Sequence, residues 1–233
     1  MIFGMPKKAA PRANARPEPR SWAASSGDGA GGRGRVPRKR DDEVLAAATR
    51  VFARRGYAEA SVQDVADELG ILKGSLYHYI RTKEDLLFWL LEEAHRGVDG
   101  ILEEVAAAEG LGPLERIELY VRRQVLYNLD NLERISIYYH DIERLSPDRL
   151  ETIVARRHDH ERFITALIRE AQQQGLADSS LDARLVSNCL FATIIWTYRW
   201  YKPDGRISRQ VVADQCAKFA LRGIVGRVGR VGR

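Results

Sequence analysis

The sequence lacks any apolar run of membrane-spanning length. Its longest apolar stretch, at residues 189–196, falls far short of the roughly 20 residues that a spanning helix needs. The N-terminus carries basic residues, but no apolar segment follows them, so no secretory signal is predicted. We therefore expect a cytoplasmic protein that has no membrane partner.

Cysteines are few, and the common catalytic motifs are absent. Cys189 and Cys216 match no metal-binding spacing and fall on predicted apolar helix faces, so we expect both to be buried thiols. His158 and His160 point to different sides of one helix, which argues against a metal site. No glycine-rich phosphate loop and no nucleophile at a recognisable spacing occurs. These absences predict no cofactor, no metal and no enzymatic activity.

Strand patterns are missing too, because no alternating apolar and polar segment of any length is found. The fold class that remains is all-α. Caps, apolar periodicity and glycine or proline stops predict a series of helices. They cover residues 41–55, 61–69, 72–80, 82–108, 114–128, 132–145, 147–174, 181–202 and 208–225.

Charge is distributed unevenly along the chain. The net charge is +5, but residues 1–40 hold ten basic and two acidic side chains, whereas residues 41–90 hold six basic and nine acidic ones. Residues 1–38 are rich in Ala, Pro, Arg, Gly and Ser, and residues 226–233 are a glycine-broken repeat; both are predicted to be disordered. The basic tail is a solvated segment, the product of a misread start codon, or an arm that reaches the minor groove of DNA.

Two short helices joined by a tight turn at Gly70 occupy residues 61–82. The first has a good N-cap at Ser61 and a single apolar face. That face comprises Val62, Val65, Ala66 and Leu69. The second helix buries Leu76 and Ile80, and its outward face carries Lys73, Ser75, Tyr77 and His78. A polar face of this kind fits a DNA groove, so the segment is predicted to be a helix-turn-helix.

The segment from about Asp41 to Leu91 resembles the DNA-binding domain of the TetR family of bacterial transcriptional regulators. Four blocks carry the resemblance at the family's spacing. They are A-T-R-V-F-A-R-R-G-Y from Ala48, S-V-Q-D-V-A from Ser61, K-G-S-L-Y-H-Y from Lys73 and T-K-E-D-L-L from Thr82. The resemblance implies a three-helix DNA-binding domain, assigned to residues 39–85, and a C-terminal helical ligand-binding and dimerisation domain, assigned to residues 86–225.

DNA contacts are expected from both helices of this motif. Lys73 and Ser75 can reach base edges or phosphates, and Gly74 lets the backbone approach the DNA closely. By resemblance to the family, further phosphate contacts are expected. The residues concerned are Ser61, Tyr77, His78, Thr82 and Lys83.

The helix predicted over residues 181–202 is apolar nearly all round, so it must be covered on every side. A second copy of the chain would cover it by forming a four-helix bundle with residues 208–225, which is also where TetR-like proteins dimerise. The alternative is an ordinary central core helix. The predicted dimer residues are Leu185, Cys189, Phe191, Val212, Cys216 and Phe219.

Polar aromatic side chains crowd the C-terminal helices, a mixture that ligand cavities use, although any one of them could equally be a core residue. The predicted ligand-binding residues are Tyr120, Tyr127, Tyr138, Trp196, Arg199 and Trp200. Residues 196–205 resemble a TetR subgroup that regulates steroid and fatty-acid catabolism and has CoA thioesters as effectors. That resemblance implies that Arg199 meets an anionic group and Trp196 stacks on an apolar one, while Phe191 replaces a second pocket cation.

These features predict a homodimeric repressor that binds a palindromic operator in double-stranded DNA. A small-molecule effector, with CoA thioesters as one candidate class, would release it by binding the C-terminal domain. The alternatives are a TetR-like activator, a constitutive DNA-binding protein without a ligand, and an enzyme that uses the aromatic pocket.

Overall fold

The computed structural model describes residues 39–225, and this part of the chain contains α-helices, one 3₁₀ turn and no strand. The all-α prediction is therefore confirmed. Both predicted tails lie outside the described residues. None of the described helices is long and apolar enough to span a bilayer. The helices are α1 (Lys39–Arg55), α2 (Val62–Glu68), α3 (Lys73–Leu76), α4 (Lys83–Ala107), α5 (Pro113–Asp130), α6 (Leu132–Asp141), α7 (Pro147–Gln173), α8 (Ala183–Ile195), α9 (Thr197–Trp200) and α10 (Arg209–Val225), and the 3₁₀ turn is Ile142–Arg144.

Reciprocal hydrogen bonds at Ser61 start the second helix of the motif. The Ser61 hydroxyl accepts from the Asp64 amide at 3.1 Å, and the Asp64 carboxylate accepts from the Ser61 amide at 2.8 Å. Gly70 has φ +66°, a left-handed conformation that turns the chain toward α3. α3 is only four residues long, and Leu76 within it is fully buried. The predicted caps, turn and anchor of the helix-turn-helix are thus all present.

The long helix α4 connects this motif to the rest of the protein. The Thr82 hydroxyl accepts from the Asp85 amide at 3.3 Å, and the Asp85 carboxylate accepts from the Thr82 amide at 2.8 Å. Gly97 and Gly100 do not interrupt the helix. A Cβ on Gly97 would lie 2.4 Å from the Tyr127 ring, so this glycine permits close packing of α4 against α5.

Two apolar clusters form the core. The first contains side chains from α1 to α3, from residues 86–94 of α4, and from α6 and α7. The second lies among the remainder of α4 and helices α5, α7, α8 and α10. Because the first cluster joins residues from both predicted domains, the core is continuous across the boundary predicted at residue 85. A shift of α4, α6 or α7 would therefore be felt directly by the helix-turn-helix.

The helix predicted over residues 181–202 is divided in the structure. α8 ends at Ile195, Trp196 forms a turn, and α9 is a separate short helix. The Thr197 hydroxyl donates to the Ile194 carbonyl at 2.7 Å, a side-chain bond that competes with the helical backbone ladder. The apolar face predicted for one continuous helix consequently ends at Ile195.

Candidate functional site

The outward surface of the helix-turn-helix is formed by α3 and the turn that follows it. Lys73, Gly74, Tyr77 and His78 are exposed, while Ser75 is half-buried. Tyr77 is a large aromatic residue with 47% of its surface exposed, so its ring is not part of the core. These residues are adjacent on one short segment. Contact between them and DNA remains a prediction.

The side chain of Lys83, predicted to contact a DNA phosphate, is engaged within the protein. Its ammonium group donates to the carbonyls of Tyr57 at 2.8 Å, Ala58 at 3.0 Å and Ala60 at 2.8 Å. It also lies 4.5 Å from the centroid of the Tyr57 ring. All three N–H groups are thereby used to hold the loop between α1 and α2 against the start of α4. We correct the predicted phosphate contact to a positioning role within the domain.

Three of the six basic residues in residues 41–90 form ion pairs within the DNA-binding domain. Three arginines of α1 bind acidic residues of α2 at 2.7–3.1 Å. These pairs are Arg50–Glu68, Arg54–Glu68 and Arg55–Asp64. Within this segment, the side chains of Lys73 and Arg81 have neither an acidic partner nor a hydrogen bond to the described residues. Arg81 was missed as a candidate DNA contact, although it lies in the turn between α3 and α4.

A cavity of about 80 Å³ lies among α4, α5, α6, α7 and α8. Since one water molecule needs about 15 Å³ of such space, the cavity has room for a small ligand or for the end of a larger one. Its apolar wall includes Val98, Ile135, Phe191, Ile194 and Ile195. Its polar wall includes His95, Tyr120, Gln124, Asn128, Tyr138, Arg157, His160 and Glu161.

Hydrogen bonds order the polar wall. His95 Nε2 is 3.0 Å from the Tyr138 hydroxyl, and His160 Nε2 is 2.7 Å from an Asp99 carboxylate oxygen. Burial, followed by the neighbouring His160, lowers the pKa of His95 to about 3. His95 is therefore neutral at physiological pH.

Comparison with known families matches residues 44–89 to the bacterial regulatory proteins of the tetR family. Residues 110–224 match the C-terminal domain of tetracyclin repressor-like proteins. The matched segments contain the helix-turn-helix surface and most of the cavity. The chain belongs to the TetR family. It is a DNA-binding transcriptional regulator with an N-terminal helix-turn-helix domain and a helical C-terminal domain.

The TetR-family proteins to which this chain is similar align with it over nearly their whole length. The transcriptional repressor KstR2 of Mycolicibacterium smegmatis is 28% identical over 214 residues, which cover 83% of this chain and 94% of that protein. The structure of the ketosteroid transcriptional regulator KstR2 of Mycobacterium tuberculosis has a TM-score of 0.75 and 28% identity, covering 83% and 98% of the two chains. AibR, in complex with isovaleryl coenzyme A and operator DNA, has a TM-score of 0.69 and 26% identity, covering 79% and 97%.

Two of the six predicted ligand-binding residues, Tyr120 and Tyr138, line the cavity of this TetR-family protein. Tyr127 lies outside the lining, and its hydroxyl donates to the carbonyl of Ala94 at 3.2 Å. Its predicted contact with a ligand in this cavity is wrong, because the ring packs into the space left by Gly97.

The predicted pocket positions of Trp196, Arg199 and Trp200 are also wrong for this cavity. All three side chains are exposed, and none lines it. Arg199 contacts His140 Nε2 at 3.2 Å, and its guanidinium lies 5.8 Å from the Trp196 ring. They were predicted from a family resemblance and from their polar aromatic character, and in the structure they follow the end of α8 at Ile195.

The predicted dimer residues separate into two groups. Leu185, Cys189 and Phe219 are exposed on α8 and α10, with exposed fractions of 64% for Leu185 and 68% for Phe219. Val212 and Cys216 are instead buried in the protomer. Because Val212 and Cys216 lie in the core of the protomer, we correct them from dimer contacts to core residues.

Phe191 belongs to the cavity as well. Its ring packs edge-on against Tyr120 at 6.1 Å between centroids, so it is corrected from a dimer residue to a lining residue. The exposed Cys189 contradicts the prediction of two buried thiols, since the face that carries it is uncovered in the protomer. Cys216 is buried as predicted, and burial raises the pKa of its thiol.

Several polar lining residues were missed by sequence reasoning. Gln124 and Asn128 follow Tyr120 at i+4 and i+8, and amides on a buried helix face were a usable signal. His95 on α4 and His160 on α7 come together only through the fold, so no local pattern could reveal them. Among residues 39–225, no three His, Cys, Asp or Glu side chains are placed to hold a metal ion.

Proposed function

We propose that this TetR-family protein is a homodimeric repressor that binds a palindromic operator with the α3 segment of each copy. A small-molecule effector that enters the cavity releases the operator, and acyl-CoA thioesters are the first candidate class. The observation that carries the proposal is the course of α4. This helix begins beside the helix-turn-helix at Thr82, and it contributes His95 and Val98 to the cavity.

α4 packs against the DNA-binding motif near its start and lines the cavity further along. Residues 86–94 of α4 share one apolar cluster with α1, α2 and α3, so the helix and the DNA-binding motif move together. An effector that prefers a different position of α4 must lower the affinity for the operator. By linkage, the operator lowers the affinity for the effector by the same factor.

Dimerisation is supported by the uncovered apolar face of α8 and α10. Leu185, Val211 and Phe219 leave large hydrophobic surfaces in water, which a two-fold partner would bury. To bind two half-sites on one side of DNA, the dimer would have to hold its two α3 segments about 34–36 Å apart, the spacing of successive major grooves. Because residues 41–90 of each copy offer few free cations, doubling the contacts supplies much of the operator affinity.

The choice of a CoA thioester rests on relatives and on size. AibR was solved with isovaleryl coenzyme A and operator DNA, and KstR2 is described as a ketosteroid regulator. The cavity of about 80 Å³ holds a small acyl group but not a whole CoA molecule. In our proposal the acyl end occupies the cavity and the nucleotide end stays outside it.

Operator binding in the presence of effector candidates tests the proposal. Fluorescence anisotropy with DNA from upstream of the gene should show specific binding, and at least one member of an acyl-CoA panel should weaken it tenfold or more. Specific binding that no member of the panel changes would refute CoA control.

Transcript levels in a deletion strain distinguish a repressor from an activator, because target transcripts rise on loss of a repressor and fall on loss of an activator.

Light scattering tests the dimer. Leu185→Asp would place a charge in the buried interface and should weaken dimerisation about 100-fold. Leu72→Asp is the matched control, because Leu72 is 80% exposed on the DNA-binding side. A dimer that withstands Leu185→Asp would exclude this face as the interface.

A further inference from the structure

The inner wall of the cavity contains polar atoms that are buried and unpaired. The Tyr120 hydroxyl, Gln124 Oε1 and His95 Nδ1 have no hydrogen-bond partner, and their residues are 1%, 7% and 5% exposed. All three residues line the cavity. Unsatisfied buried polar atoms are costly, and three at one cavity indicate an occupant that satisfies them.

The orientation of Gln124 is determined by its neighbours. Asn128 Nδ2 donates to the backbone carbonyl of Ile194 at 3.4 Å, and a carbonyl can only accept. Asn128 Oδ1 therefore remains for Gln124, whose Nε2 donates to it at 3.0 Å. Reversing the Gln124 amide would place two oxygens against each other. The free atom of Gln124 is consequently an acceptor, which requires a donor from the occupant.

Arg157 and His160 on this wall each have an acidic neighbour, although Arg157 Nε makes no hydrogen bond. Arg157 lies 3.7 Å from Glu161, and His160 is hydrogen-bonded to Asp99. Burial raises the pKa of Tyr120, so its hydroxyl remains protonated and can donate or accept. A carboxylate beside Gln124 has no proton to donate, so it would leave Gln124 Oε1 without a donor.

We propose that the effector carries a hydroxyl group at its buried end, which donates to Gln124 Oε1 and accepts from the Tyr120 hydroxyl. This inference rests on the proposed effector cavity and narrows the ligand class to small neutral alcohols or hydroxyacyl groups. Water can occupy the same positions in the free protein. A ligand that displaces it must supply an equivalent donor or lose affinity.

Alcohol and ketone pairs of equal size test the proposal on the full chain. Cyclopentanol and cyclopentanone measure the cavity alone, while 3-hydroxybutyryl-CoA and acetoacetyl-CoA measure it within a thioester. Isothermal titration calorimetry should show each alcohol binding about tenfold more tightly than its ketone. Equal binding of cyclopentanol and cyclopentanone, or no binding of cyclopentanol, would overturn the hydroxyl site.

Three variants locate the effect. Gln124→Met should bring the ratio of alcohol affinity to ketone affinity close to one, because the Gln124 oxygen can accept a hydrogen bond only from the alcohol. Tyr120→Phe should weaken the binding of alcohol and ketone alike, because both can accept from the Tyr120 hydroxyl. Tyr120→Phe removes only an unpaired oxygen, so it keeps the test valid if Gln124→Met does not fold. Ser187→Ala is the control, because the Ser187 hydroxyl is also buried and unpaired but lies outside the lining. An alcohol preference that survives in Gln124→Met, or ligand affinities that Tyr120→Phe leaves unchanged, would refute the assignment.

Operator anisotropy with the same two thioesters, read together with the calorimetry, separates this inference from the proposed function. If cyclopentanol is preferred while neither thioester releases the operator, the hydroxyl site is correct and CoA thioesters are the wrong effector class. If the thioesters release the operator equally well and the cavity does not distinguish alcohol from ketone, the regulator is correct and the hydroxyl site is wrong.

Discussion

Arg149, near the start of α7, donates a hydrogen bond to Asp85, near the start of α4. The other oxygen of the Asp85 carboxylate accepts from the backbone amides of Arg81 and Thr82, at 2.7 and 2.8 Å. Two to three turns further along, α7 contributes Arg157 to the cavity. One helix therefore contacts both the cavity and the segment that joins α3 to α4. This is a second connection between the cavity and the DNA-binding motif, in addition to α4.

Arg149→Met should weaken the coupling between effector and operator. The variant loses the link from α7 to Asp85, while the capping bonds of Asp85 remain. We expect operator release by a given effector to fall on the order of tenfold, with little change in effector binding. Arg144→Met is the control, because Arg144 forms an exposed pair with Asp141 three residues away. Equal release in Arg149→Met and wild type would exclude this path.

Lys73→Ala and Arg81→Ala should each weaken operator binding and reduce its salt dependence. Each substitution removes two charges from a dimer, so the slope of log K against log salt should fall by about two units. Lys202→Ala, an exposed lysine in the C-terminal domain, should leave the slope unchanged. An unaltered slope for Arg81→Ala would remove this residue from the interface.

The stability of the protein should fall as pH drops below 6.5, and His95 is the cause. Burial and His160 lower the pKa of His95 to about 3, against about 6.5 in the unfolded chain. Between these values the unfolded chain binds one more proton, so acidification favours unfolding. From pH 6.5 to 5 the contribution is about 2 kcal/mol. Urea unfolding of His95→Gln should lack this part of the pH dependence, whereas the exposed His78→Gln should retain it.

Two glycines of α4 should respond in opposite directions to alanine. At Gly97 the new methyl would meet the Tyr127 ring, so Gly97→Ala should destabilise the protein by about 1–3 kcal/mol. Nothing lies within 4 Å of a Cβ at Gly100, so Gly100→Ala should stabilise it by about 0.5–1 kcal/mol through helix propensity. Thermal unfolding of both variants measures the pair. A stabilising Gly97→Ala would contradict the close packing of α4 on α5.

The fold and the DNA-binding motif were predictable because their signals are local. Ser61 and Asp64 form their capping box within one turn, and Gly70 adopts the left-handed turn that its residue type permits. Lys83 shows the limit of such reasoning. Its three carbonyl partners lie 23 to 26 residues earlier in the chain, so only the folded structure shows that its donors are used.

The cavity was less predictable because its wall comes from five helices. Tyr120 and Tyr138 were predicted as polar aromatics of buried helices. Arg199 was predicted by resemblance to a TetR subgroup, and a resemblance in sequence does not show that its side chain is exposed after the break at Trp196. On α10 the adjacent positions Val211 and Val212 differ in burial. Val211 is 49% exposed and Val212 is 5% exposed. Sequence pattern alone cannot decide which of two apolar faces packs on α5, because both would bury similar surface.

Occupancy of the cavity should control the affinity for the operator. Val98→Phe, which places a larger side chain in the cavity wall, should therefore be tested by operator anisotropy with and without an effector identified from the thioester panel. We predict that effector weakens operator binding of the wild type tenfold or more, and that the variant binds operator but no longer responds. An undiminished response in Val98→Phe, despite the filled cavity, would contradict the account.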